Sequence, residues 1–153
     1  MQTSKPIIRI SVRDQRLDLV SGEGTLASYP ISTSRFGLGS EEGSMKTPLG
    51  RFKIGEKIGA ETPSGTVFRS RIPLASDETP PPSDDLILSR ILWLDGLEEH
   101  NANTRDRFIY IHGTNHEDAI GQAASHGCIR MKNADLIALF DQVPLGAEVV
   151  IAT

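Results

Sequence analysis

The chain has 153 residues, 38% hydrophobic and 24% charged, which is enough for one ordinary core and too average for a fibrous or disordered protein. A net charge of -4 and the lack of any basic block argue against a nucleic-acid partner. No apolar stretch approaches the ~20 residues of a membrane span, and one cysteine excludes an internal disulfide.

The start, Met1 to Val12, is too short and too charged for a signal peptide. A cytoplasmic location is therefore expected, or a periplasmic one if a leader has been removed. Ile8 to Val12 alternates apolar and polar residues, and Arg16–Val20 does so again. Asp14-Gln15 between them suits a hairpin, and Thr25–Ile31 reads as a third strand. Ser34–Gly50 is rich in Gly and polar residues and reads as a long loop, with a turn at Thr47-Pro48-Leu49-Gly50. A short strand follows at Arg51–Ile54.

Gly55–Asp85 carries Pro63, Pro73 and Pro80-Pro81-Pro82 and is the least regular stretch. A loop of this length in a compact domain is often functional, so it is read as a lid, with a floppy surface insertion as the equal alternative. Leu86–Leu94 reads as a buried strand holding the only Trp, Trp93, with a turn at Asp95-Gly96. Glu98–Arg107 is a polar loop, and Phe108–Ile111 is the next strand. His116–Ala124 has room for one helical turn. Asn133 is the expected N-cap of a helix over Ala134–Phe140. Leu136, Ile137, Leu139 and Phe140 give that helix an apolar face, Pro144 and Gly146 close it, and Glu148–Ile151 is a last strand. The sum is one mostly β domain over 1–153 with a single main helix.

Reactive chemistry concentrates in residues 107–131, which hold Cys128 and three of the four histidines, His112, His116 and His126. A cysteine is a useful nucleophile only as its thiolate, so a base must take or share its proton. His126 lies two residues away on the same extended segment, whereas His112 arrives from another strand and faces the thiol. His112 is therefore the expected base, keeping the sulfur ionised, and His126 shapes the pocket or meets substrate. Gly127 allows a sharp turn, and the Gly127 and Cys128 amides are candidate oxyanion donors. The Gly113 carbonyl is placed to hold the imidazole tautomer. Arg130 suits a substrate carboxylate, with a surface ion pair as the alternative. Two other readings stand beside this one. A lone cysteine is often a small core residue, and His112, His116, His126 and Cys128 together resemble a zinc shell. Against zinc, Gly113 and the preceding β-run disfavour the helix that the His112–His116 spacing would need.

The pattern His112-Gly113 followed by Ser125-His126-Gly127-Cys128-Ile129-Arg130-Met131 resembles the signature of the L,D-transpeptidase catalytic domain, the YkuD family. Thr47-Pro48-Leu49-Gly50-Arg51-Phe52 is similar to another segment of that family. The resemblance covers about Ile7 to Ile151. It implies a mostly β sandwich or barrel-like sheet with one main helix after the catalytic loop, and no cofactor or metal. It also implies a peptidoglycan tetrapeptide as substrate, with Cys128 as nucleophile, His112 as base oriented by Gly113, and Ser125, His126, Gly127 and Arg130 lining the substrate site. D-Alanine would leave and a thioester would remain. Water as acceptor gives an L,D-carboxypeptidase, the version favoured by the apparent lack of a leader; a second stem amine gives a cross-link. Carbapenem-type compounds would acylate the same cysteine. A zinc-dependent hydrolase and a non-catalytic peptidoglycan-binding module are the alternatives from other classes.

Overall fold

A computed structural model of the chain describes residues 5–22, 24–75, 78 and 85–153. The first three strands are β1 (Ile7–Ser11), β2 (Arg16–Ser21) and β3 (Gly24–Ser32), paired antiparallel in sequence. Their alternation works as read: Ile8, Ile10, Leu17 and Leu19 point inward and are almost fully buried. The strand read at Arg51–Ile54 runs further, as β4 (Gly50–Ile58). The stretch read as irregular contains a small hairpin, β5 (Val67–Arg69) and β6 (Ile72–Pro73). The triple proline of the expected lid lies outside the described residues.

Next come β7 (Ile87–Gly96), β8 (Tyr110–Gly113), β9 (Ile129–Met131), the helix α1 (Asn133–Gln142) and β10 (Glu148–Ala152). The strands run β4-β10-β1-β2-β3-β9-β8-β7, and β7 pairs back to β4, so eight strands close on themselves. The result is a mostly β, barrel-like sheet with 43% strand and 12% helix. Closure leaves no free edge along these eight strands. The β5–β6 hairpin hangs from the start of β7. Two pairings are parallel, β1 with β10 and β8 with β9.

Three local readings are corrected. Asp95-Gly96 is no turn; both residues pair with β4, opposite Lys53 and Phe52. Phe108 does not open a strand. Its φ of 57° places it in a turn, half exposed, and pairing begins only at Tyr110. Asn133 does not cap the helix with its side chain. It is the first helical residue, and its amide is met instead by Glu117 Oε2 at 2.6 Å, a carboxylate brought from a neighbouring single-turn helix (Glu117–Ala119). That turn falls inside the span read as having room for one.

Leu136, Leu139 and Phe140 of α1 pack into the main core with Phe52, Leu92, Leu94, Ile111, Ile129 and Ile151. Lys57 of β4 closes the other end of the helix. Its ammonium donates to the Phe140 and Val143 carbonyls at 2.7 and 2.6 Å and stands 4.3 Å over the Phe140 ring. These are carbonyls that the end of a helix leaves without intrahelical partners. Lys57→Met should lower the unfolding free energy by about 1.5–3 kcal/mol, the scale of hydrogen bonds to a charged group. Urea unfolding checks this: the midpoint should fall with an unchanged slope.

Candidate active site

Strands β8 and β9 lie side by side with Ile111 opposite Ile129, His112 opposite Arg130 and Gly113 opposite Met131. Alternation then sorts the residues. Ile111, Ile129 and Met131 enter the main core. Tyr110, His112 and Arg130 face the other way, and Cys128, one residue before Ile129, joins them. From β7, Ile91 and Trp93 sit opposite His112 and Tyr110 on this same face. A second apolar cluster of Phe68, Ile91 and Tyr110, edged by Ile58, Ile87 and Trp93, packs against Cys128.

His112 is buried, and its Nδ1 lies 2.6 Å from the Gly113 carbonyl oxygen. A carbonyl only accepts, so Nδ1 carries the proton and Nε2 carries the lone pair. Burial holds this imidazole below the ordinary histidine value, against the opposing effects of the Gly113 bond and Asp85. Cys128 keeps part of its surface open. The protein packed around its sulfur pushes the thiol up to about 11, although the Tyr110 amide, Arg130 and Arg107 pull it down. The Tyr110 amide donates to the sulfur at 3.3 Å, and the thiol donates to the Phe108 carbonyl at 3.3 Å. Burial thus disfavours both charged forms, which pulls against the expectation of an ionised sulfur.

The loop before Cys128 is braced from beneath. Gly127 has a φ of +125°, which a side chain would strain. Ser125 is buried; its Oγ donates to the Cys128 carbonyl at 2.6 Å and accepts the Gly127 amide at 3.2 Å. Ser125 is thus a brace of the loop rather than a lining of the substrate site. The Gly127 amide is engaged in that brace, which leaves the Cys128 amide as the candidate oxyanion donor. Thr47 Oγ1 donates to the Gly127 carbonyl and accepts the Ser34 amide, both at 2.9 Å. Ser34 Oγ in turn binds the Met45 carbonyl. Arg107 donates to the Lys46 carbonyl at 2.7 Å. Residues 34–47, read as a connecting loop, are in fact the support under the cysteine turn.

Beside the thiol runs a line of charge. His126 Nδ1 lies 3.0 Å from Asp85 Oδ2, and its Nε2 lies 2.7 Å from Arg35 Nη2. Arg130, 5% exposed, reaches the same Asp85 oxygen with Nη2 at 2.7 Å. Burial pushes the Asp85 carboxyl up, but the hydrogen bonds from Arg130 and His126 outweigh it and hold the group below the ordinary carboxylate range. Neither Asp85 nor Arg35 carried a recognisable sequence signal. Among the described residues no group of three His, Cys, Asp or Glu side chains is gathered to hold a metal ion. The four candidate zinc ligands thus do not form a shell.

Gly113 is required by close approach. A Cβ there would lie 2.3 Å from Asn133 Oδ1 and 2.7 Å from the Leu88 carbonyl. Asn133 is fixed by Ser89 Oγ at 2.6 Å and by its own bond to the Thr114 carbonyl at 2.9 Å. The polar knot on Asn133 therefore positions the carbonyl that orients His112.

A closed β-sheet carrying His-Gly on one strand and Ser-His-Gly-Cys in the turn that leads into the adjacent parallel strand is the arrangement of an L,D-transpeptidase catalytic domain. The chain belongs to the YkuD family: the family model for the L,D-transpeptidase catalytic domain matches residues 5–151. The Bacillus subtilis (strain 168) protein that carries the name L,D-transpeptidase YkuD is 56% identical over 144 residues, covering 94% of this chain and 64% of the relative. The Bacillus licheniformis protein of that name is 54% identical with the same coverage. The chain thus spans just under two thirds of the length of these relatives. Among solved structures, an L,D-transpeptidase from Mycobacterium smegmatis superposes with a TM-score of 0.66 at 15% identity, covering 98% of this chain and 59% of that one. L,D-transpeptidase 3 from Mycobacterium tuberculosis, solved with a faropenem-derived adduct, gives 0.62 at 15% identity, with 98% and 61% covered. At those identities the likeness is one of fold.

Alkylation of Cys128 by iodoacetamide should be slow at neutral pH and rise with a midpoint near the thiol's value of about 11. A midpoint near neutrality would show a resting ion pair instead. Gly113→Ala should force Asn133 and the Leu88 carbonyl away from the new Cβ and lower the unfolding free energy by about 1–3 kcal/mol, the cost of overpacking. Urea unfolding of the variant reads that loss directly.

Proposed function

We propose that this chain is a cysteine acyl-transfer enzyme that opens the bond between the L-centred third residue and the D-fourth residue of a peptidoglycan stem peptide. One observation carries the reading: Cys128, the imidazole of His112 with its lone pair on Nε2, and the guanidinium of Arg130 share one face of adjoining strands. The thiol turns from the Phe108 carbonyl toward Nε2 and gives up its proton as the sulfur attacks the carbonyl carbon. The Cys128 amide faces the developing oxyanion, where one such donor typically contributes ~3 kcal/mol. The S–C bond forms, the C–N bond breaks, and His112 returns the proton to the departing amine of D-alanine. Arg130 faces the carboxylate of that leaving residue.

Because thiol and imidazole start neutral, proton transfer accompanies attack. The sulfur becomes strongly nucleophilic only when a carbonyl is in place. The thioester then passes to water, giving a tripeptide, or to the side-chain amine of a second stem, giving a cross-link. Incubation with a soluble disaccharide tetrapeptide tests both steps by mass spectrometry. Free D-alanine is the expected first product and Cys128→Ala should abolish it. Tripeptide or cross-linked dimer then assigns the acceptor. Absence of D-alanine together with absence of a carbapenem adduct on Cys128 would sink the proposal.

A further inference from the structure

Arg130 and Arg90 are the two buried arginines among the described residues, each with an Nε that lacks a hydrogen-bond partner there. The Arg130 side chain is 5% exposed, and its ion-pair partner among the described residues is a single oxygen of Asp85. A buried guanidinium normally meets a carboxylate through two parallel bonds, and a donor left unpaired in the interior is costly. The Asp85 carboxylate divides that same oxygen between Arg130 and His126 Nδ1. The contact is therefore an incomplete fork. Asp85 itself is open to water, with 31% of its side chain exposed. It lies one residue before Leu86, whose amide donates to Asn115 Oδ1. Arg130 stays in place because it belongs to β9, while Asp85 precedes β7 and lies outside the strand.

We propose that Asp85 is an internal stand-in for the substrate's terminal carboxylate: it occupies Arg130 in the empty site and is exchanged for the carboxylate of the incoming D-residue. This inference rests on the acyl-transfer reading above, and it adds a specificity-determining residue to it. The incoming carboxylate is free to take the two-bond geometry that Asp85 does not, using the unpaired Nε. A donor whose terminus is an amide cannot make that exchange and leaves Asp85 where it is. The consequence is a selection step: apparent affinity falls by the fraction of time that Arg130 is free.

The test uses the full chain with Asp85→Asn and, as a second variant, Asp85→Ser, each checked for cooperative thermal unfolding. N-acetyl-D-alanine and N-acetyl-D-alaninamide are titrated into arginine-labelled protein while the Arg130 Nε–H resonance is followed. This readout needs no turnover, so it stays informative even if D-alanine release fails. In Asp85→Asn the acid should bind about tenfold tighter than in the wild type, with no gain for the amide. With a tetrapeptide donor the same gain should fall in KM rather than in kcat. Unchanged or weaker acid binding in the folded variants overturns the proposal, as does an equal gain for acid and amide. Loss of cooperative unfolding in both variants overturns it too, because an exchangeable carboxylate is not a structural clamp.

Discussion

The parallel pairing of Tyr110–Gly113 with Ile129–Met131 is the constraint on which the site depends. Side chains alternate across a strand, so a slip of one residue in either strand would exchange its whole inner and outer set. Ile111, Ile129 and Met131 are fully buried on the core side. Moving them outward would forfeit roughly 1.5–3 kcal/mol for each side chain. The core therefore fixes the register, and the register fixes the reactive row. His112, Arg130 and the cysteine that precedes Ile129 are held on one face by residues that take no part in the chemistry. Gly113 tightens the arrangement, since its backbone touches the Asn133 knot where no Cβ fits.

Burial on that face bears on the protonation states. A low-dielectric surrounding disfavours a thiolate and an imidazolium alike. Arg107 and Arg130 pull the thiol down, yet burial outweighs them. In the proposed reaction the oxyanion donor and Arg130 would supply their stabilisation only with a substrate bound, which favours the transition state over the resting protein.

Much of this was legible in the sequence, and the misses have physical causes. Period-two alternation located β1, β2 and β3 because each has one face in the core. The run from Leu86 was read correctly as buried, but Asp95-Gly96 was read as a turn; closure of the sheet gives those residues partners on β4 that a local signal cannot show. Phe108 has strand propensity, yet its positive φ breaks the run, and the carbonyl so exposed accepts the Cys128 thiol. Asn133 has an N-cap's chemistry but spends its side chain on Ser89 and Thr114. Cys128, His112 and Gly113 stand out by chemistry and motif, and the structure puts His112 and Gly113 on β8, next to the strand that Cys128 precedes. Ser125 was found but misjudged, because a hydroxyl beside a nucleophile looks the same whether it faces substrate or its own backbone. Asp85 and Arg35 reach the site from distant segments that alternation and motif spacing do not report.

Two imidazoles are carried by the segments around the thiol, and their hydrogen bonds distinguish them. His126 has both ring nitrogens committed, Nδ1 to a carboxylate and Nε2 to a guanidinium. To accept a proton it would have to release Arg35, leaving a second positive charge facing that cation. His112 has only Nδ1 engaged, by a neutral carbonyl, and its Nε2 has no hydrogen-bond partner among the described residues. A proton arriving there meets no opposing guanidinium at bonding distance, and the Gly113 carbonyl favours the charged ring that results. The line Arg35–His126–Asp85–Arg130 also carries two cationic groups against one carboxylate around a histidine whose acceptor nitrogen is filled. That surplus of positive charge favours an anionic ligand at this edge of the thiol, and the neutral His112 side is left for the proton. The division of labour follows from which nitrogen each ring has already given away.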